Sequence, residues 1–362
     1  MRRTTMTGTT LKRFAAGAAA GALVFGIVAQ VPASAAPSSD VGLFGGADPT
    51  YDGVFRQSLA IIGLTSAGVK PSAAAVTWLL DQQCADGAFQ SYRADRAVPC
   101  GPSDPDAATG PDTNSASAAV SAFAALNRTN AVPAALKARV AAASDKAEGW
   151  LAKQQLKDGG WPYFPGSTSD ANSTGLALAA LMTQAPNFKV PSYVAGSRYL
   201  SALVVPCGSA DGGALTYQKG AKADGSASSQ GLLGLTAGVL VSGPRRLSAA
   251  PTCGGTVAQK VSSYLSKQLV AKGAIDSSFG TGPDFTATAV SVLGLVAGRD
   301  GKAAVAKAIS TLATNVASYT RKDGAAVPSA LGLLLMVAEA TGKNPTSFGG
   351  VNLVTALQGS QR

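Results

Sequence analysis

The sequence contains no histidine in 362 residues, and its only glutamates are Glu148 and Glu339. A Ser-His-Asp or Cys-His catalytic arrangement is therefore excluded, and so is the histidine-containing zinc site of many zinc enzymes. Glycoside hydrolysis by paired carboxylates would have to use aspartates. We predict no metal site and no cofactor.

Long apolar runs are also missing, apart from one near the N-terminus. Basic residues at positions 2, 3, 12 and 13 form a basic region before the apolar stretch AAGAAAGALVFGIVA. Ala33-Ser34-Ala35 has the small-x-small pattern of a cleavage site. We predict a signal peptide over residues 1–35, no membrane span in the mature chain, and a protein that is secreted or associated with the cell wall.

The charge of the chain is modest. The formal net charge is +10, and removal of the four cations in the predicted signal peptide leaves +6. No run of Lys and Arg is longer than a pair, whereas nucleic-acid-binding domains concentrate basic residues on one face. We predict no nucleic-acid partner. The expected partner is an unknown small molecule or cell-wall component, bound by a monomer.

The four cysteines are few but even in number. In an exported protein, four cysteines indicate two disulfides, for which three connectivities exist. We favour local pairing, which joins Cys84 to Cys100 and Cys207 to Cys253.

The chain does contain an internal repeat. The stretches WLLDQQCADGAFQSY (78–92) and WLAKQQLKDGGWPYF (150–164) align residue by residue, and weaker copies lie near residues 200, 265 and 316. Between them recurs a second phrase, a polar residue or proline followed by an apolar run rich in Ala, Leu and Gly. Its copies begin at Asp52, Asp112, Asp170, Asp224, Asp284 and Pro328.

These two phrases predict twelve helices in alternation. The Ala/Leu/Gly-rich helices suit a crowded interior, and the others carry Lys, Gln and Asp as helices with one exposed face do. The stretch TSFGGVNLVTALQG (346–359) supplies the last outer helix, so that the first and last elements close a ring. We predict an all-α (α/α)6 toroid of six inner and six outer helices over residues 36–362. An open helical solenoid is the alternative.

The repeat resembles a known motif. The pattern W-L-x3-Q-x3-G-x-W at residues 150–161 resembles the QW motif of squalene–hopene cyclases and the prenyltransferase repeat, and residues 78–89 match it with Phe at the last position. The chain is thus similar to the secreted bacterial type of prenyltransferase/squalene oxidase, or terpenoid cyclase-like, repeat proteins. The toroid also resembles that of secreted cobalamin carriers, without their β-rich domain. The resemblance implies a structural motif that ties an outer helix to the next turn.

The catalytic groups of these families are missing. The Asp-x-Asp-Asp acid of class II terpene cyclases has its nearest counterpart in DPDA at 104–107, which lacks the third carboxylate. Prenyltransferases need a zinc-binding histidine, and the complement-like relatives need Cys-Gly-Glu-Gln. Neither occurs in this chain, so we predict no catalytic residue.

The outer-to-inner connections are long and aromatic, and they meet the inner-helix N-termini, whose free N–H groups can bind ligands. We expect the binding face there. The aspartates at these helix starts either cap the helices or converge as functional groups. The predicted ligand-binding residues are Tyr92, Trp161, Tyr163, Phe164, Tyr217, Asp112 and Asp170, with Phe89 and Phe279 in the same connections.

The predicted function follows from these features. We expect a secreted, non-catalytic toroid that binds a medium-sized amphipathic ligand or a cell-envelope component in its axial cavity. The alternative is a divergent terpenoid cyclase-like or carbohydrate-active enzyme that uses the aspartates at positions 112, 170, 224 and 284.

Overall fold

The computed structural model describes residues 40–128, 132, 134–183, 187–278 and 280–362, so the predicted signal peptide and Phe279 lie outside the described residues. None of the described helices is long and apolar enough to cross a membrane. The described α-helices are α1 (Gly53–Ser66), α2 (Ala73–Asp81), α3 (Thr113–Arg128), α4 (Ala134–Lys153), α5 (Ala171–Leu181), α6 (Pro191–Ala202), α7 (Gly225–Leu235), α8 (Val257–Lys272), α9 (Phe285–Gly298), α10 (Lys302–Thr314), α11 (Val316–Thr320), α12 (Pro328–Thr341) and α13 (Leu353–Gln358).

Six of these helices form a closed inner ring. Helices α1, α3, α5, α7, α9 and α12 each pack against the next, and α12 packs against α1. Helices α2, α4, α6, α8, α10 and α13 lie outside, each against the inner helix before it. The fifth outer element is interrupted at Asn315, after which the short α11 follows. The (α/α)6 toroid is therefore confirmed, and the open solenoid is excluded.

The small residues of the inner helices allow this close packing. Every residue of α9 from Ala287 to Val296 is buried. At the contact between the last and first inner helices, a Cβ atom on Gly332 would lie 2.3 Å from the carbonyl oxygen of Leu59. A larger residue at position 332 would force α12 away from α1, so this glycine permits ring closure.

The two ends of the described toroid meet. The N–H of Gly42 donates to the carbonyl of Arg362 at 3.0 Å, and the N–H of Arg362 donates to the carbonyl of Leu43 at 2.9 Å. The buried carboxylate of Asp40 forms ion pairs with Arg96 and Arg362. The predicted closure through the first and last elements is thus present.

Short strands, which the sequence analysis did not predict, lie in the outer-to-inner connections. Each ladder is only two residues per strand, too short to leave an alternating apolar pattern. In three of them, the strand before the inner helix ends in the aspartate at that helix's start. The antiparallel pairs are β1 (Trp161–Pro162) with β2 (Ser169–Asp170), β3 (Leu215–Thr216) with β4 (Ala223–Asp224), β5 (Ile275–Asp276) with β6 (Pro283–Asp284), and β7 (Arg321–Lys322) with β8 (Ala325–Ala326).

Both predicted disulfides are confirmed. Cys84 pairs with Cys100 across the first outer-to-inner connection. Cys207 pairs with Cys253 and so joins the connection after α6 to the segment that precedes α8. Two disulfides fit an extracellular protein.

Removing the disulfides should destabilise the toroid in order of loop length. We expect a Cys84→Ala/Cys100→Ala variant to lose about 3 kcal/mol and a Cys207→Ala/Cys253→Ala variant about 4 kcal/mol, because a longer closed loop restricts the unfolded chain more. The sequence separations are 16 and 46 residues. Urea denaturation of the two variants measures these losses. A larger loss from the shorter loop would contradict the loop-closure explanation.

Candidate functional site

The repeated motif joins three elements at the hairpin end of the toroid. The Nε1–H of the fully buried Trp161 donates to the carbonyl of Leu151 in α4 at 2.8 Å. Gln155 donates to the carbonyl oxygens of Gly159 and of Ser192, which lies in α6, at 2.8 Å each. The motif thus ties its outer helix to the next turn, as expected, and also to the following outer helix.

The copies of the motif differ in the size of the side chain that occupies the position of Trp161. Gln83 makes the same pair of hydrogen bonds in the first copy, to Gly87 and to Ala143 of α4. In the third and fourth connections, the smaller Leu215 and Ile275 occupy the ladder position that Trp161 has in the second. The hairpins are therefore not equivalent, and the later ones have no large ring in this position.

Of the five aspartates at the inner-helix starts, Asp52 makes no capping hydrogen bond and forms an ion pair with Arg56 instead. The other four cap their helices. In each case the carboxylate accepts a hydrogen bond from the backbone N–H three residues later, which is the N-cap geometry. The distances are 2.7 Å for Asp112, Asp170 and Asp224, and 2.8 Å for Asp284. Capping is thus established for each of them, and no convergence is needed to explain their spacing.

Two of these carboxyls are deeply buried. Burial raises the pKa of Asp112 to about 6, although hydrogen bonds from Ser115 and Asn114 oppose the shift. Burial likewise raises the pKa of Asp170 to about 6, against opposing hydrogen bonds that include one from the hydroxyl of Tyr217. Oδ2 of Asp112 is buried without a hydrogen-bond partner. Both acids are therefore harder to ionise in the folded protein than in water.

This burial predicts a pH dependence of stability. The folded-state pKa of Asp112 is about 6 and the unfolded value about 3.8, so folding takes up protons between these values. Its stabilising contribution is complete below the unfolded pKa and is lost as the pH rises through about 6. We expect Asp112→Asn, which still caps α3, to show a smaller fall in melting temperature between about pH 5 and pH 7.5.

The matched control for this experiment is Asp145→Asn, which removes a carboxylate from the exposed face of α4. This variant should keep the pH profile of the parent protein. An Asp112→Asn variant with the parent's profile would contradict the role assigned to the buried carboxyl.

Most of the predicted aromatic ligand contacts are used for packing. The hydroxyl of Tyr92 donates to the Asp40 carboxylate at 3.2 Å, and its ring stacks on Trp78. The rings of Tyr163 and Phe164 lie 4.3 Å apart, and Phe164 is buried. Tyr163 is half-buried beside it, and a role of these two residues in ligand binding stays a prediction.

The axial cavity is too small for the predicted ligand. Its volume is about 40 Å³, whereas sites for small molecules occupy about 300–1,000 Å³. Side chains from all six inner helices and Val239 of the short 3₁₀ helix Gly238–Leu240 fill the axis. The placement of a medium-sized ligand in this cavity is therefore wrong, because the apolar side chains interdigitate across the ring.

A larger cavity of about 520 Å³ lies at the hairpin end, and we call it the hairpin cavity. It is bounded by the β3–β4 and β5–β6 hairpins and by α8. Of the seven predicted ligand-binding residues, Tyr217 lines it. Ile275, which takes the place of a large ring, also lines it. The other lining residues include Asn172, Asp211, Lys222, Asp224, Ser226, Tyr264, Gln268, Lys272, Asp276, Ser277 and Ser278.

The charges around the hairpin cavity nearly balance. Its three carboxylates and two ammonium groups sum to −1. Lys272 and Asp276 form an ion pair with each other. Asp224 caps α7 and so also has a partner within the protein. Among the described residues, no group of three or more Cys, Asp or Glu side chains could hold a metal ion.

Sequence reasoning missed most of this lining. Tyr264 and Gln268 lie on an outer helix, where the pattern indicated only an exposed face. The signal that could have found them is the loss of the motif's aromatic residue at Leu215 and Ile275, since a shortened side chain at a packed position leaves space beside it.

No protein-family model matches the chain, and no curated protein matches it in sequence. A solved structure described as a novel alpha-amylase from Clostridium perfringens is similar in fold, with 11% identity, a TM-score of 0.51, and coverage of 82% of this chain and 91% of that one. The ent-copalyl diphosphate synthase from Streptomyces platensis gives 15% identity and a TM-score of 0.47 over 80% of this chain and 50% of that one. The type II terpene cyclase MstE from Scytonema gives 15% identity and a TM-score of 0.41, with coverage of 74% of this chain and 71% of that one. These similarities concern the helical toroid alone.

Proposed function

We propose that the protein is exported and binds a neutral saccharide of the cell envelope in the hairpin cavity, without turnover. The observation that carries the proposal is a single cavity of about 520 Å³ that combines two tyrosine rings with amide, hydroxyl and carboxylate groups. This volume lies within the range of known small-molecule sites.

The lining suits the two surfaces of a sugar ring. The half-buried Tyr217 offers an apolar ring against which the C–H face of a sugar can pack, and Tyr264 is buried at the cavity wall. The side-chain amides of Asn172 and Gln268 both donate and accept hydrogen bonds, as sugar hydroxyl groups require. The net charge of −1 disfavours an anionic saccharide.

Export rests on two features of the chain. The N-terminal stretch over residues 1–35 has the three parts of a signal peptide. The two disulfides fit an oxidising compartment, where such bonds persist. An exported protein meets the glycans of the cell envelope directly.

The absence of turnover rests on what the aspartates do. Four of them, at positions 112, 170, 224 and 284, are occupied as helix caps. Asp112 and Asp170 line none of the cavities described above. The class-defining acids and metal ligands of terpenoid cyclases and prenyltransferases have no counterpart in the sequence.

Isothermal titration calorimetry tests the proposal. The neutral probes are the tetramer of N-acetylglucosamine and maltotetraose. Oligogalacturonate is the anionic comparison. We expect one neutral tetramer to bind, oligogalacturonate not to bind, and Tyr217→Ala to weaken binding at least tenfold. Tyr51→Ala is the matched control, because Tyr51 is 76% exposed and lines no cavity described here. Equal affinity of the parent and Tyr217→Ala would overturn the site.

A carbohydrate-active enzyme is the second candidate, and one observation favours it. Three carboxylates line the hairpin cavity, and a glycosidase needs two. Asn variants at the three lining positions 211, 224 and 276, and at the capping positions 112, 170 and 284, should be assayed against polysaccharides and polyprenoids beside the parent. If the parent turns over a substrate and one well-folded variant does not, the protein is an enzyme and the proposal of binding without turnover is wrong.

A further inference from the structure

A second large cavity lies at the opposite end of the toroid, and we call it the loop cavity. Its volume is about 520 Å³. It is bounded by residues 244–247 of the segment between α7 and α8, by the C-terminal end of α9, by α10, and by residues 340–349, which comprise the end of α12 and the segment after it. The inner-to-outer segment from α7 to α8 covers residues 236–256 and includes the 3₁₀ helix Gly238–Leu240.

The floor of the loop cavity is apolar. Val296, Val305 and Phe348 are buried, and each belongs to the core of the toroid. Leu247 and Ile309 are half-buried and extend the apolar surface toward the opening. An aliphatic chain placed here would remove its own apolar surface and that of Leu247 and Ile309 from water.

The rim is cationic. Arg245, Lys302 and Lys343 are exposed and line the same cavity, and no carboxylate lines it. None of these three cations takes part in an ion pair within the described part of the chain. The acids of the adjoining elements are Asp300, which accepts a hydrogen bond from the Ser248 hydroxyl, and Glu339, which does not line the cavity.

The rim is also held in place. The N–H of Ser248 donates to the carbonyl of Arg299, and the N–H of Lys302 donates to the carbonyl of Ser248, both at 2.9 Å. One guanidinium nitrogen of Arg245 donates to the carbonyl of Ala297 at 3.2 Å, which leaves its other N–H groups for a ligand. A rim fixed in this way loses little freedom when a ligand binds.

We propose that the loop cavity binds a single-chain amphiphile whose head group is a phosphate monoester or carboxylate. The chain lies on the apolar floor, and the head group is held between Arg245, Lys302 and Lys343. This inference does not depend on the saccharide site, which lies at the other end and has the opposite net charge.

Calorimetry with dodecyl phosphate below its micelle-forming concentration tests the inference. Inorganic phosphate supplies the head group without the chain, and dodecyl maltoside supplies the chain without the charge. We expect dodecyl phosphate to bind at least tenfold more tightly than either comparison. The Lys302→Gln/Lys343→Gln variant should bind it at least tenfold more weakly, and added salt should weaken binding because the rim is exposed.

The matched control is Lys153→Gln/Lys157→Gln, which removes the same charge from exposed positions outside the three cavities. Circular dichroism of each variant verifies its fold, and Arg245→Gln serves as an independent variant of the rim. Equal binding of dodecyl phosphate by the parent and the rim variants would overturn the inference. If inorganic phosphate bound as tightly as dodecyl phosphate, the cavity would be a simple anion site. If dodecyl maltoside bound as tightly, it would be an apolar groove. Either result would also overturn the inference.

Discussion

Replacement of Trp161 by alanine should lower the free energy of unfolding by about 3–5 kcal/mol, the usual cost of truncating a large buried ring. Trp161 has no exposed surface, and its Nε1–H donates to the carbonyl of Leu151. The variant therefore leaves a cavity beside α4 and removes one hydrogen bond to the Leu151 carbonyl, which keeps the bond from the N–H of Gln154. Urea or thermal denaturation of the parent and variant measures the loss.

Trp161→Phe is the matched control, because Phe89 occupies the same position in the first copy of the motif and is also fully buried. The ring is then retained while the N–H is lost, so we expect a smaller loss of about 1–3 kcal/mol. An alanine variant as stable as the phenylalanine variant would contradict the structural role of the ring.

Deletion of residues 346–362 should cost even more. It removes three buried apolar side chains, Phe348, Leu353 and Leu357. At about 1.5–3 kcal/mol for each, the loss is roughly 4–9 kcal/mol. The deletion also removes Arg362 and so leaves the buried Asp40 without one of its cationic partners. Because folded proteins are stable by about 5–15 kcal/mol in total, we expect the truncated chain to melt at a much lower temperature or not to fold.

The control for the deletion is Gln358→Ala, which changes an exposed residue of α13 and should alter stability by no more than about 0.5 kcal/mol. Thermal melting followed by circular dichroism compares the three proteins. A truncated chain with the parent's melting temperature would mean that the contact between the first and last elements does not stabilise the closed ring.

The sequence was sufficient to predict the elements of the fold and their order. Helical periodicity, polar residues at helix starts and the W-L-x3-Q-x3-G-x-W spacing are local, because each is written within one helix and its turn. The four N-caps, the two disulfides and the six-plus-six arrangement follow from such patterns. The two-residue strands do not, since hairpins this short depend on the helices that hold their ends together.

The tertiary structure alone decided where a ligand can bind. The axis is filled because side chains from six helices far apart in sequence meet there, and no single segment reveals their combined volume. The two cavities of about 520 Å³ are likewise formed by residues from three or more elements each. The complete burial of Asp112 and the partial burial of Tyr217 depend on which neighbouring repeat covers them. A repeat determines how each unit folds, whereas the unequal side chains at the contacts between units determine which spaces stay open.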